Sequence, residues 1–143
     1  MSKKGFTYIE LLLVLVVFSI FLSLGIIVVD QYRKTVQSHS FLKEIESDLY
    51  SSQVTSINRA QKTNIQFLVS VNRFVVKNFN TGEILLNKPL PHYVKVDPYS
   101  SLLNWSYTKD GTVDKFGTLK LYVHDQPYYI TVQIGHGRHL IYE

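Results

Sequence analysis

The sequence predicts an α+β protein in which one long N-terminal helix packs on an antiparallel β-sheet. No proline occurs before Pro89 and no glycine between Gly25 and Gly82, so no helix-breaking residue interrupts this part of the chain. From Ile65 onward, apolar residues recur at every second position, which is typical of strands. We therefore expect a helix that continues to about residue 62 and a sheet that follows it.

Length and composition favour one small domain beside a separate N-terminal segment. The chain has 143 residues, of which 45% are hydrophobic and 18% are charged, and this balance excludes a disordered chain. About a hundred residues remain for folding once the apolar N-terminal block is set aside, which is enough for one small domain. Cysteine is absent, so disulfides, thiolate metal sites and cysteine nucleophiles are excluded.

The first half of the helix is predicted to span a membrane over residues 6–29. Residues 11–29 are nineteen consecutive residues without a charge. At a rise of about 1.5 Å per residue they extend roughly 28 Å, close to the hydrocarbon thickness of a bilayer. Lys3 and Lys4 precede this run and favour a cytoplasmic N-terminus, although a second basic pair on the far side weakens that rule.

A soluble core helix and a cleaved secretory signal each fit the apolar run less well. A core helix of a soluble domain would have a polar face, whereas only Ser19, Ser23 and Gly25 interrupt the run. A cleaved secretory signal needs small residues at its cleavage site, and Ser23 and Gly25 satisfy that requirement. Such a signal normally ends near the site, however, and residues 26–29 continue the apolar run.

Glu10 fits neither of these two alternatives. It lies next to the apolar run, and no opposite charge is nearer than Lys4. Burying a carboxylate in a membrane costs roughly 2.5 to 3.5 kcal/mol, so an ionisable group in this position requires a partner. An unpaired buried charge is strongly destabilising, whereas one that meets an ammonium group is tolerated and specifies alignment.

The N-terminus closely resembles the class III signal of type IV prepilins and pseudopilins in the residues Lys3-Lys4-Gly5-Phe6-Thr7-Tyr8-Ile9-Glu10 and the leucine-rich sequence that follows. The resemblance implies a leader of residues 1–5, which a membrane-bound prepilin peptidase removes by cutting after Gly5. It implies that Phe6 becomes the methylated N-terminus and that Glu10 pairs with an N-terminal amine during assembly. Residues 30–143 would then form an external pilin-like domain.

Within this family, the chain most resembles the minor pilins of the competence pilus of Gram-positive bacteria, whose machinery takes up DNA. The absence of cysteine, the short C-terminal domain and the signal carry this likeness. It implies other pilin-like subunits, the prepilin peptidase and the membrane as partners, and a location in the cell membrane and then in a surface pilus. A pseudopilin of a type II secretion-like system and an anchored binding domain that never polymerises remain alternatives.

The second half of the helix has two apolar stripes. At about 100° per residue, the first stripe contains Phe41, Leu42, Ile45, Leu49 and Ala60, and the second contains Tyr32, Val36, Tyr50, Val54 and Ile57. Either both stripes lie in one core, or the second stripe packs on neighbouring subunits. The sequence leaves both possibilities open.

The predicted strands form an antiparallel meander. They start near Ile65, Phe74, Glu83, Val94, Leu102, Thr118, Tyr128 and Arg138, and glycine-containing or proline-containing turns separate most of them. The segment 88–91 is predicted to be a loop, because proline cannot serve a central strand.

Six basic residues between positions 58 and 97 are the candidates for DNA contact. This segment has only two acidic residues and accounts for the net charge of +4. The six candidates are Arg59, Lys62, Arg73, Lys77, Lys88 and Lys95. A solvated basic face is the simpler interpretation, so we expect DNA to be contacted only weakly or indirectly.

No catalytic residue, metal site or cofactor is predicted. The spacing of His124 with Asp125, and of His136 with His139, matches no common zinc motif. No nucleophile can be combined with a base and an orienting group, and the glycines form no phosphate-binding sequence. The sequence therefore favours a structural subunit over an enzyme.

Overall fold

The computed structural model describes residues 7–135 and 137–143, and of residues 24–28 it describes the backbone alone. The chain divides into two compact units, Met1–His39 and Ser40–Glu143. A single helix, α1, runs from Tyr8 to Asn58 and contributes to both units.

In the first unit, α1 exposes its apolar side chains. The residues from Tyr8 to Ser23 are all exposed. The two serines in the run satisfy their hydroxyls within the helix, since Ser19 Oγ donates to the carbonyl of Leu15 at 2.8 Å and Ser23 Oγ to that of Ser19 at 2.9 Å. Among the described residues, no helix is both long enough and apolar enough to cross a membrane. The predicted leader 1–5 lies outside the described residues, as do Phe6 and the side chains of residues 24–28 within the predicted span.

The helix ends at Asn58, not near residue 62 as predicted. Ala60 has a left-handed backbone with φ of 48°. Its N–H donates to the carbonyl of Ile57, and the N–H of Gln61 donates to that of Ser56, both at 3.0 Å. These bonds close the helix end in the way that a glycine usually does. Because the sequence has alanine at this position, and not the usual glycine or asparagine, the sequence did not indicate the helix end.

The described residues contain eight strands in two antiparallel sheets of four, joined by short turns. The strands are β1 Thr63–Leu68, β2 Arg73–Asn78, β3 Ile84–Pro89, β4 Val94–Val96, β5 Asn104–Tyr107, β6 Gly117–Val123, β7 Gln126–Val132 and β8 His139–Tyr142. The first sheet has the order β3-β2-β1-β5 and the second β4-β6-β7-β8. The single meander is therefore wrong. Each sheet contains a three-strand meander, but β5 returns to pair with β1, and β4 pairs with β6.

The predicted loop at residues 88–91 is also partly wrong. Lys88 and Pro89 belong to β3, where Pro89 pairs with Arg73 of β2. The strand lies at the edge of its sheet. A proline without an N–H is tolerated there, because that position needs no second ladder hydrogen bond.

The core of the second unit lies between α1 and both sheets. Phe41, Ile45 and Leu49 of the first stripe are buried, as that stripe predicts, whereas Ala60 is exposed beyond the helix end. Strand residues that alternate along both sheets complete the core, among them Ile65, Phe67, Phe74, Trp105, Leu119, Leu121, Ile130 and Val132. Burying each large apolar side chain contributes about 1.5–3 kcal/mol, so this packing is the main source of the domain's stability.

Candidate assembly surface

Thr7 and Glu10 form a reciprocal cap at the start of α1. Glu10 Oε2 accepts hydrogen bonds from the backbone N–H and from the hydroxyl of Thr7, both at 2.8 Å, and Thr7 Oγ1 accepts the N–H of Glu10 at 3.4 Å. This is a capping box, which satisfies two helix N–H groups that otherwise lack partners. A threonine followed three residues later by a glutamate is a sequence pattern that predicts this cap. The sequence-based prediction did not include it. Gly5 and Phe6 lie outside the described residues.

The apolar surface of α1 in the first unit has no cover from the described residues of that unit. Phe21 is 68% exposed and Leu13 is 64% exposed. Monomeric proteins rarely expose contiguous apolar patches of more than a few hundred square ångströms, so a surface of this kind indicates contact with other apolar matter. In the same unit, Asp30 and Lys34 form an ion pair at 2.8 Å one helical turn apart.

The second stripe of α1 is mostly outside the core. In the second unit, Tyr50 is 63% and Ile57 is 47% exposed, whereas Val54 is half-buried. In the first unit, Tyr32 and Val36 are also exposed. The possibility that both stripes share one core is therefore wrong, and the second stripe is available for contacts with a partner.

Lys88 connects β3 to the helix and does not project freely into solvent. Its Nζ lies 2.8 Å from Glu44 Oε1 and 2.7 Å from Asp48 Oδ2. It pairs with Phe74, a core residue of β2, and therefore lies on the inner face of the sheet. Partial desolvation alone would lower the pKa of Lys88, but the bonds to Asp48 and Glu44 outweigh it and hold the pKa above the ordinary value.

Two further candidate cations are also paired with acids from distant segments. Lys62 Nζ lies 3.0 Å from Asp114 Oδ2 and 4.2 Å from the ring centroid of Phe79. Lys95 Nζ lies 3.4 Å from Asp125 Oδ1, in a highly exposed pair. The positive surplus of residues 58–97 is thus partly neutralised in the folded chain, which a segment-by-segment charge count could not show.

The remaining candidates are less constrained. Arg59 is exposed in the turn after α1. Arg73 and Lys77 lie four residues apart on β2 and therefore project from the same outer face. Arg73 Nε donates to Asn87 Oδ1 at 2.8 Å. The structure places Arg73 and Lys77 on one face of the sheet and Lys88 on the other, so the six cations do not form one phosphate-binding surface.

No cluster of metal-ligating side chains occurs in residues 7–135 and 137–143. His124 stacks on Tyr93 with ring centroids 4.5 Å apart. His139 is half-buried at the start of β8, and His136 lies outside the described residues.

A groove lies beside α1 in the second unit, and the sequence provided no signal for it. It has a volume of about 640 Å³. Lys43, Ser47 and Tyr50 line it from the helix, Leu140 lines it from β8, and Arg138 lines it from the position just before that strand. Because these two segments are far apart in sequence, only the folded chain brings them together.

Comparison with known proteins supports the fold. No protein-family model matches the sequence, and no curated protein matches it in sequence. The structure is similar to the crystal structure of the type IV minor pilin FimU from Pseudomonas aeruginosa strain PAO1, with a TM-score of 0.58 and 14% sequence identity. The match covers 73% of this chain and 87% of that chain. At this identity the likeness concerns the fold: the chain has the α+β fold of a type IV pilin, with a long helix packed on antiparallel sheets.

Proposed function

We propose that the protein is a pilin-like filament subunit of the minor-pilin kind. The single observation that best supports this proposal is the exposed apolar surface of α1 in a chain with a type IV pilin fold. The second unit is a folded domain, and the exposed apolar part of α1 is a surface that other subunits or lipid must cover. The exposed second stripe at Tyr50 and Ile57 supports additional contacts between subunits.

The subunit is made as a precursor and is processed between Gly5 and Phe6. The support is the sequence Lys3-Lys4-Gly5-Phe6 followed by the apolar run. Before assembly, residues 6–29 are held in the cell membrane and residues 30–143 lie outside. The uncharged run of residues 11–29 supports this arrangement.

Mass spectrometry of the membrane-associated protein tests the precursor step. We expect a mature chain that begins at Phe6 and carries an N-methyl group. A matched variant with Gly5→Leu should keep residues 1–5, because the peptidase is expected to require the small residue at the cut. Detection of residues 1–5 on the wild-type protein in cells with an active prepilin peptidase would contradict the proposal.

The filament is a competence pilus, and the protein supports DNA uptake by helping the filament to assemble. The pairing of Lys62, Lys88 and Lys95 with acids supports an indirect role toward DNA. Deletion of the gene should abolish transformation and the surface filament together. If deletion instead leaves transformation intact and blocks release of a folded protein, the alternative of a secretion pseudopilin is supported.

A further inference from the structure

The groove beside α1 runs along the edge of strand β8. Arg138, His139 and Leu140 all line it. Arg138 directly precedes the strand. Consecutive residues of a strand point to opposite faces of the sheet, so a groove that contacts both His139 and Leu140 follows the edge of the strand. The other edge of β8 is occupied by β7. The groove therefore lies at the outer edge, which no strand within the described residues occupies.

The outer edge of β8 offers backbone hydrogen bonds. The N–H of Gln133 donates to the carbonyl of Arg138 at 3.0 Å, which makes Arg138 one of the residues that bond toward β7. Bonding alternates along an antiparallel strand, so Leu140 and Tyr142 also bond toward β7. His139 and Ile141 then direct their N–H and C=O groups to the outer edge.

Although β8 is short, with four residues, its own residues lack the charges and prolines that often prevent pairing. Strand β8 has no proline, lysine, arginine, aspartate or glutamate between His139 and Tyr142, whereas natural proteins commonly protect edges with such residues. Leu140 is 52% exposed and Tyr142 50% exposed.

The charged residues beside the edge indicate which kind of segment it would bind. Lys43 and Arg138 are exposed on the two walls of the groove, and Glu46 is the acid in its lining. On the helix side of the groove, the ring of Tyr50 offers a contact for an apolar side chain. The volume of about 640 Å³ lies within the range of about 300–1,000 Å³ that is typical of ligand sites.

We propose that β8 accepts an additional strand from a partner protein, an extended segment that alternates apolar and acidic side chains. The backbone of the segment pairs with His139 and Ile141, an apolar side chain packs against Tyr50 on the face of the sheet that α1 covers, and a carboxylate meets Arg138 on the opposite face. Strand addition of this kind obtains affinity from main-chain bonds and specificity from alternate side chains. The inference concerns the folded second unit and stands whether or not the chain enters a filament.

Disulfide capture on the full chain in detergent micelles tests this proposal, because the chain has no cysteine of its own. Ser47→Cys places one thiol in the groove. Ser51→Cys is the matched control, since Ser51 is exposed on the same helix but lines a different depression with Asp48 and Leu86. The probe is a short peptide of alternating valine and aspartate with one cysteine. Two further probes have N-methyl groups on the amides of one edge or lysine in place of aspartate.

We expect the valine–aspartate probe to be captured at Ser47→Cys about tenfold more than at Ser51→Cys. N-methylation should reduce capture about tenfold, since it removes roughly two net hydrogen bonds. The probe with lysine in place of aspartate should be captured less than the valine–aspartate probe. Arg138→Gln should reduce this difference in capture between the two probes. Equal capture at both cysteines, or capture that N-methylation does not affect, would overturn the proposal. Dimerisation of the cysteine-free chain that Leu140→Lys abolishes would also overturn it, because a second copy would then occupy the edge.

Discussion

At the scale of single residues, the carboxylate of Glu10 has two roles. The structure places it in a cap with Thr7, through two bonds of 2.8 Å. The prepilin resemblance assigns it to an N-terminal amine in the assembled filament. Both roles suit a carboxylate, since helix N-termini and ammonium groups each attract negative charge. Because Thr7 follows the proposed cut, the cap remains available in the mature chain and keeps the carboxylate satisfied until assembly.

The variant Glu10→Gln separates these two roles. Glutamine keeps the shape and still accepts the bonds from Thr7, but it has no charge to pair with an amine. We expect processing and helix formation to continue and filament assembly to fall several-fold. Immunoblots of sheared filaments and of membranes measure the two quantities, and Thr7→Val, which removes only the hydroxyl of the cap, is the control. Normal assembly of Glu10→Gln would show that the charge is dispensable.

Asp114 makes the second unit sensitive to acid. It accepts the N–H of Ser106 at 2.7 Å and pairs with Lys62 at 3.0 Å. Partial burial acts to raise the pKa of Asp114, but these two partners outweigh it and hold the pKa below its ordinary value. A carboxyl whose folded pKa is lowered contributes stability above its unfolded pKa of about 3.9 and loses it as the pH falls.

For Asp114→Asn we therefore expect a lower unfolding midpoint than wild type at pH 7. The difference should begin to shrink as the pH falls below about 5 and continue to shrink below about 3, because the unfolded chain binds the proton first and the folded carboxyl binds it only at lower pH. Urea unfolding at a series of pH values measures it. Asp110→Asn, in the exposed neighbouring turn, should show no such change. A pH-independent difference for Asp114→Asn would contradict the assignment.

At the scale of elements, α1 buries one apolar stripe in the core and leaves the other exposed. Leu49 is fully buried among both sheets, whereas its neighbour Tyr50 is 63% exposed and lines the groove beside β8. Two adjacent residues of one helix thus belong to different surfaces. The helical period allows this, because consecutive side chains are separated by about 100° around the axis.

A matched pair of alanine variants distinguishes these surfaces. Leu49→Ala should lower the free energy of unfolding by about 2–5 kcal/mol, because it leaves a cavity in the core. Tyr50→Ala should change it by about 0.5 kcal/mol or less, since the side chain is mostly exposed, yet should reduce assembly. Urea unfolding and filament yield measure the two effects. A large loss of stability in Tyr50→Ala would show that the second stripe also belongs to the core.

At the scale of the whole molecule, the fold redistributes charge. The six cations between residues 58 and 97 have few acids near them in sequence, yet three of the six acquire acidic partners from α1 or later turns. The exposed pair of Lys95 with Asp125 contributes little stability, about 0–1 kcal/mol. The acidic partners do reduce the positive potential available to a nucleic acid.

We therefore expect the full chain in detergent to bind duplex DNA weakly. With Arg59, Arg73 and Lys77 as the least constrained cations, the logarithm of affinity should fall by roughly 0.9 per phosphate contact for each tenfold rise in salt, or by about 3 at most. Fluorescence anisotropy across a salt series measures the slope. Arg73→Gln with Lys77→Gln should reduce it, and Lys88→Gln should not. Tight binding that resists salt would contradict an indirect role toward DNA.

The fold class and the buried stripe of the helix could be predicted from the sequence alone. A helix without proline or glycine and an alternation of apolar residues are local patterns, and local geometry decides which face they form. Phe41, Ile45 and Leu49 are buried accordingly. The processing site at Gly5 and Phe6, in contrast, stays a prediction, since it rests on the resemblance and lies outside the described residues.

Only the folded chain shows the sheet order, the acidic partners of the cations and the groove at β8. Each depends on distant segments that the fold brings together: β1 pairs with β5, Lys88 pairs with Asp48, and Tyr50 and Leu140 line one groove. Pairing of distant segments is chosen by how the whole core packs, and no local pattern encodes it. The helix end at Ala60 belongs here as well, because an alanine adopts a left-handed backbone only when the surrounding fold requires the turn.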